Sequence, residues 1–235
     1  MKKLLNTGIP GLDDLLGGGL PENSITVFSG PPGVGKSTIA MQYINEGITK
    51  GERGVFLTIE NRKEDIIEYA DHFGWNFRKF EDEKKLKIID RAVFEATEMQ
   101  LSRDFGALKE VMDEVKPTRF AVDSVTLFDF LFRDEVSRKL NMMHFIDFLK
   151  IYKCTTMMTL KQEDSFPNLR YHEWHFLSDG LVFMFWNRNH AENERCLWAV
   201  KMRGLNVDSN IRPLKITEKG VRVYTNDTPA IISAD

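Results

Sequence analysis

The chain has 235 residues, 42% of them hydrophobic, and a formal net charge of −3. That is enough for one large α/β domain, read as 1–235, and it gives no overall attraction to nucleic acid or anionic lipid. No apolar run reaches the roughly 18 residues of a membrane span, and the apolar stretch after Lys2 and Lys3 is too short for a secretory signal. Cys154 and Cys196 sit in apolar surroundings and read as reduced, buried thiols, so a cytoplasmic protein is expected.

In chain order, the first strong signal is the β-branched, apolar stretch Ser24 to Ser29, which predicts a buried strand over 24–29. It runs into Gly30-Pro31-Pro32-Gly33-Val34-Gly35-Lys36-Ser37, a full match to G-x-x-x-x-G-K-[ST]. A helix over 36–49 follows, starting Lys36-Ser37-Thr38, with Ile39, Ala40, Tyr43, Ile44 and Ile48 at helical spacing. Such a loop turns on its glycines and brings backbone N–H groups to phosphate oxygens, where the helix start adds partial positive charge. Lys36 then reaches the β- and γ-phosphates and Ser37 ligates Mg²⁺, so a nucleoside triphosphate and Mg²⁺ are expected.

Further strands are predicted at 54–59, 86–90, 119–123 and 155–160, and helices at 63–73, 100–115 and 136–152. This alternation implies a mostly parallel, twisted sheet with helices on both faces. After residue 179 the pattern becomes strand-like at 180–187, 195–202, 212–217 and 220–225, with turns at Asn187–Asn193 and Glu218–Gly220. Antiparallel strands closing one edge of the sheet are expected there. The apolar cluster Leu127, Phe128, Phe130, Leu131 and Phe132 reads first as helix packing under the sheet, with an apolar partner surface as the alternative.

Two strands end in acids. Asp123 at the tip of 119–123 is placed to bind the water shell of Mg²⁺. Glu60 follows Val55 to Ile59. If that strand lies beside the P-loop strand, Glu60 faces the γ-phosphate and activates the attacking water; otherwise it is a solvated loop residue. Lys201 and Arg203 project to one side of a strand end, which on the residues alone reads as a solvated face.

Taken together, Thr7 to Pro21, Phe73-Gly74-Trp75, Leu86 to Asp90, Val122-Asp123-Ser124-Val125-Thr126, Ser178-Asp179-Gly180 and Lys201-Met202-Arg203-Gly204 carry a resemblance. In this order they resemble a single KaiC-type domain of the RecA-like ATPase superfamily, nearly end to end. The resemblance implies ATP rather than GTP, a RecA-like P-loop fold and ATP hydrolysis with Glu60 as the catalytic glutamate. It further implies Lys201 and Arg203 as trans-acting fingers reaching a neighbour's site, and hence a homo-oligomer, most simply a hexameric ring. The family usually has two glutamates after the second strand; here they are Glu60 and Asn61, which implies slow turnover. His175 and Phe176 stand where the clock protein's phosphorylated domain has Ser and Thr, so autophosphorylation of that kind is not expected.

Segment 161–176 lies where recombinases of the superfamily carry a DNA-contacting loop. Phe166, Arg170, Tyr171, His172, Trp174 and His175 suit base stacking and phosphate contact, while Glu163, Asp164 and Glu173 oppose it. Its aromatics suit a subunit interface equally well. Two roles stay open: an assembly switch that binds protein partners, or a DNA-acting recombinase paralogue. His172, His175 and His190 lack the spacing of a zinc site.

Overall fold

Alternate residues of the central strands are apolar, and the chain buries both sets. In the computed structural model, which describes residues 3–90, 105–132, 134–164, 166–188 and 193–229, Phe28, Phe56, Ala121, Met157 and Val182 face one core. Their neighbours Val27, Val55, Val122, Met158 and Leu181 face another. Side chains alternate across a strand, so a strand covered on both sides reads as a continuous apolar run.

A short ribbon of β1 (Leu4–Leu5) and β2 (Leu20–Pro21) flanks α1 (Leu12–Leu15). The main chain then alternates through β3 (Ile25–Gly30), α2 (Lys36–Thr49), β4 (Gly54–Thr58), α3 (Lys63–His72), α4 (Phe77–Asp82) and β5 (Leu86–Ile89). It continues through α5 (Gly106–Val115), β6 (Arg119–Asp123), α6 (Leu127–Leu131), α7 (Glu135–Ile151), β7 (Thr155–Lys161) and α8 (Glu173–Leu177). Strands β8 (Gly180–Arg188), β9 (Asn193–Met202), β10 (Ile211–Thr217) and β11 (Gly220–Val223) complete it. Among the described residues these form a nine-stranded sheet in the order β11-β10-β9-β8-β3-β7-β6-β4-β5. Helices α2, α3 and α4 pack in one core, and α5 and α7 in the other.

The expected elements are present, and the pairing adds two details that the pattern left open. Strand β4 does not lie beside β3; β7 and β6 separate them. Strand β8 pairs with β3 in parallel, so the antiparallel edge begins at β9. Residues 100–104 of the expected helix, most of the Asn187–Asn193 turn, and the side chains of Leu127 and Phe130 lie outside the described residues. Helices α4 and α8 are too short for periodicity to reveal.

Buried Arg119 pins the start of β6 to α2. It is 1% exposed and grips the Glu52 carboxylate with Nε at 2.7 Å and a second nitrogen at 3.1 Å. It also donates to the carbonyls of Asn6 and Tyr43 and lies 4.7 Å from the Tyr43 ring centre. A guanidinium out of water is tolerable only with such full pairing. Gly47 makes room for it: a Cβ there would come within 2.3 Å of the Arg119 Cδ and Nε. Gly47→Ala is therefore expected to lower stability by about 2–4 kcal/mol, through overpacking and a displaced buried charge, as read by urea unfolding.

Candidate functional site

Parallel strands β3, β7, β6 and β4 point their C-terminal ends to one edge of the sheet, where α/β proteins hold their ligands. A cavity of about 480 Å³ opens there. The loop residues Pro32, Gly33, Gly35, Lys36, Ser37 and Thr38 line it from one side. Glu60 and Asn61 beyond β4, Asp123 and Ser124 beyond β6, and Lys161 at the end of β7 line it from the other, with Ile216 nearby. Gly30 closes β3, Pro31 lends its carbonyl to Lys36, and Val34 is buried in the core; these three support the loop from beneath.

The loop is shaped for an anion. Gly35, the N-cap of α2, has φ 102°, in the left-handed region that favours glycine, and it offers no side chain to cap the helix. The first-turn N–H groups of a helix need partners, and the macrodipole adds positive charge. Lys36 Nζ donates to the Pro31 carbonyl at 2.8 Å. Burial pushes the Lys36 ammonium down from its ordinary pKa, and Asp123 and Glu60 oppose that shift. From behind, Trp186 Nε1 donates to the Pro32 carbonyl at 3.3 Å and Arg195 Nε to the Gly33 carbonyl at 2.9 Å. These two side chains stack at 4.4 Å as a directly opposed pair on β8 and β9.

Asp123 is 5% exposed. Burial pushes its carboxyl above the ordinary aspartate value, against hydrogen bonds from the Thr159 and Ser37 hydroxyls and the charge of Lys36; Glu60 adds to the rise. A buried carboxylate beside the Ser37 hydroxyl, at the mouth of an uncapped helix, is a donor set that fits a hydrated divalent cation. Glu60 reaches the cavity although its strand is not next to β3, because the ends of β4 and β6 are tied: Ile59 N donates to the Asp123 carbonyl at 3.1 Å. Ser124 Oγ lies 3.1 Å from Glu60 Oε1 and 2.9 Å from Thr126 Oγ1.

Lys201 and Arg203 are not in this cavity. Strand β9 runs antiparallel to β8, and Met202 pairs with Gly180, which pairs with Thr26 near the start of β3, so both cations sit at the opposite edge. Lys201 Nζ donates to the Ser178 carbonyl at 2.8 Å, and Arg203 donates to the Phe176 carbonyl at 3.0 Å and lies 3.5 Å from Asp179. Burial and neighbouring Arg203 push the Lys201 pKa down.

In the segment expected to suit DNA, Trp174 and His175 are 0% and 1% exposed and belong to the core and its cap. Trp174 meets Phe128 edge-on at 5.1 Å, and His175 accepts from the His172 N–H at 2.9 Å in a reciprocal cap of α8. Burial holds the His175 imidazole neutral, with its pKa pushed down to about 3. Tyr171 and Phe176 remain 53% and 65% exposed. His190 lies outside the described residues. Sequence reasoning missed Lys161, Ile216 and the Trp186–Arg195 brace; a lysine directly after an apolar strand was the one available signal, for Lys161.

A P-loop on a mostly parallel sheet, with strand-end acids facing it, defines a RecA-like P-loop α/β protein. Comparison with known proteins gives the family: residues 5–228 match the model for the KaiC ATPase, and the chain belongs to that family. A UPF0273 protein of Methanopyrus kandleri is 30% identical over 93% of this chain and 91% of its own length. The circadian clock oscillator protein KaiC of Synechococcus elongatus is 34% identical over 94% of this chain but only 44% of its own length. The crystal structure of a KaiC-like protein from Pyrococcus horikoshii superposes with a TM-score of 0.84 at 27% identity, covering 95% of this chain and all of that one.

The raised pKa of Asp123 has a sign that can be measured. Its protonated form stabilises the fold at pH values below its unfolded pKa, and that contribution is lost as pH rises through the folded pKa. Without nucleotide, Asp123→Asn should melt higher than wild type at pH 7, about 3 °C for each kcal/mol gained. The gap should widen as pH rises through that window and then stay constant, as followed by thermal melts across pH.

Proposed function

We propose that this chain binds Mg²⁺-ATP in the cavity at the C-terminal edge of its sheet and hydrolyses it slowly within a ring, most simply a hexamer. The observation that carries the reading is the convergence of the uncapped α2 start, Lys36, Ser37, Asp123 and Glu60 on one cavity, while Lys201 and Arg203 lie at the opposite edge.

The loop amides and Lys36 hold the phosphates and orient the γ-phosphate. Ser37 and Asp123 would hold Mg²⁺, which when bound would supply positive charge against the phosphates. Glu60 accepts the proton of the attacking water. Asn61, in the place of a second acid, cannot take a proton, and this keeps turnover slow. Lys201 and Arg203 cannot reach their own chain's cavity, so they serve a neighbour's, stabilising the charge that develops on the transferred phosphoryl group. In a ring each subunit donates fingers to the next and receives them from the one behind.

On this reading nucleotide state governs assembly, and the assembly presents a surface to a protein partner in the cytoplasm. The exposed Tyr171 and Phe176, close to the fingers, suit that interface. A DNA-acting recombinase paralogue is the competing reading. It has less support, because Trp174 and His175 are spent in the core and leave few rings for bases.

Complementation tests the scheme. Lys36→Ala should lose ATP binding, and Arg203→Ala should keep it while turnover falls about 10²- to 10³-fold. Mixing the two variants should restore part of the phosphate release, because some interfaces then pair an intact loop with an intact finger. No recovery on mixing would sink the trans assignment. Strong stimulation by single-stranded DNA would favour the paralogue.

A further inference from the structure

We infer that Ser124 and Thr126 are positioning residues that aim the Glu60 carboxylate through a one-way chain of hydroxyl hydrogen bonds anchored on the backbone N–H of Lys161. The inference rests on the reading of Glu60 as the water-activating base.

Glu60 sits on an exposed loop at the end of β4. Such a side chain rotates freely unless something holds it. Among the described residues, the hydrogen-bond partner of its carboxylate is Ser124 Oγ, at 3.1 Å from Oε1. Ser124 is 4% exposed and fixed by its own place between Asp123 and α6. Its hydroxyl also lies 2.9 Å from Thr126 Oγ1, and Thr126 Oγ1 accepts the Lys161 N–H at 3.0 Å.

Counting protons gives the chain its direction. A backbone N–H only donates, so Thr126 receives at Oγ1 and keeps its own proton to give away. An ionised carboxylate only accepts, and Ser124 has a single proton to donate. One arrangement satisfies all three contacts: Lys161 N–H to Thr126, Thr126 O–H to Ser124, and Ser124 O–H to Glu60. Each donation polarises the next hydroxyl, so the bond that reaches Glu60 is stronger than an isolated one.

The anchor matters as well. Lys161 is the last residue of β7 and lines the cavity, and the chain beyond it runs through Tyr171 to α8 and the carbonyls that Lys201 and Arg203 grip. A displacement of the Lys161 backbone reaches Glu60 through three hydrogen bonds.

The test is the steady-state phosphate release and the Mg²⁺-ATP affinity of full-length variants. Ser124→Ala should lower kcat about tenfold and Thr126→Val about threefold, each with Kd held within about twofold. Thr126→Ser, which restores the hydroxyl, should recover wild-type kcat. Because Thr126 acts only through Ser124, the double variant Ser124→Ala/Thr126→Val should be no slower than Ser124→Ala alone, whereas independent structural damage would add. The relay is overturned if Glu60→Gln abolishes turnover while Thr126→Val and Ser124→Ala turn over at the wild-type rate. Additive losses, or Thr126→Ser failing to rescue, overturn it equally. If Glu60→Gln itself hydrolyses ATP normally, the assignment of Glu60 falls and takes the relay with it.

Discussion

The first turn of α2 has no side chain to cap it, and the rest of the site is arranged around that deficit. Gly35 at the N-cap gives the backbone a left-handed turn but offers no acceptor. The turn lines a cavity that Lys36 also lines, so positive charge is concentrated there. Facing it, the sheet presents two carboxylates, one of them nearly out of water. Asp123 pays a desolvation cost that a divalent cation would relieve. Lys36 and Asp123 offset each other's burial only in part, and the first-turn amides have no side-chain cap. A metal-nucleotide complex, as proposed, would satisfy both at once.

The same logic explains how far the support extends behind the site. Arg119 and Glu52 fix the start of β6 against α2, so the strand that ends in Asp123 and the helix that begins at Lys36 keep one relative position. Trp186 and Arg195 donate to the carbonyls of Pro32 and Gly33 and so fix the loop from the β8–β9 side. On the far edge, Ser178 and Asp179 hold the Lys201–Arg203 end of β9 through backbone and carboxylate contacts. Two motifs far apart in sequence therefore act as one structural unit, and that unit is turned away from its own chain's cavity.

Much of this was legible in the sequence because the signals are local. The P-loop, the strand before it and the helix after it lie within one continuous stretch, and helix α2 spans the residues that its periodicity implies. Asp123, a weak signal as a strand-end acid alone, could be singled out because the chain also carries a P-loop, and it does line the cavity. Glu60 was harder, since its role was tied to lying beside β3. The sheet order puts β7 and β6 between them, and only the tie from Ile59 N to the Asp123 carbonyl brings its loop to the cavity. Strand order comes from long-range pairing, which no local pattern encodes. Trp174 and His175 misled for a related reason: aromatic and imidazole groups in a polar segment read as a binding surface, yet a five-residue helix buries Trp174 against Phe128 and Phe145 and His175 against Phe183. The reach of Lys201 and Arg203 rested on family resemblance alone, because a site completed by a second molecule leaves no trace in one chain's periodicity.

The central claim is that one subunit's site is incomplete. Specific ATPase activity measured over a wide range of protein concentration, with mass followed by light scattering in the same samples, tests it most directly. The account predicts activity per subunit that falls on dilution in step with loss of the assembled species. Constant activity per subunit from a particle with the mass of one chain would contradict it.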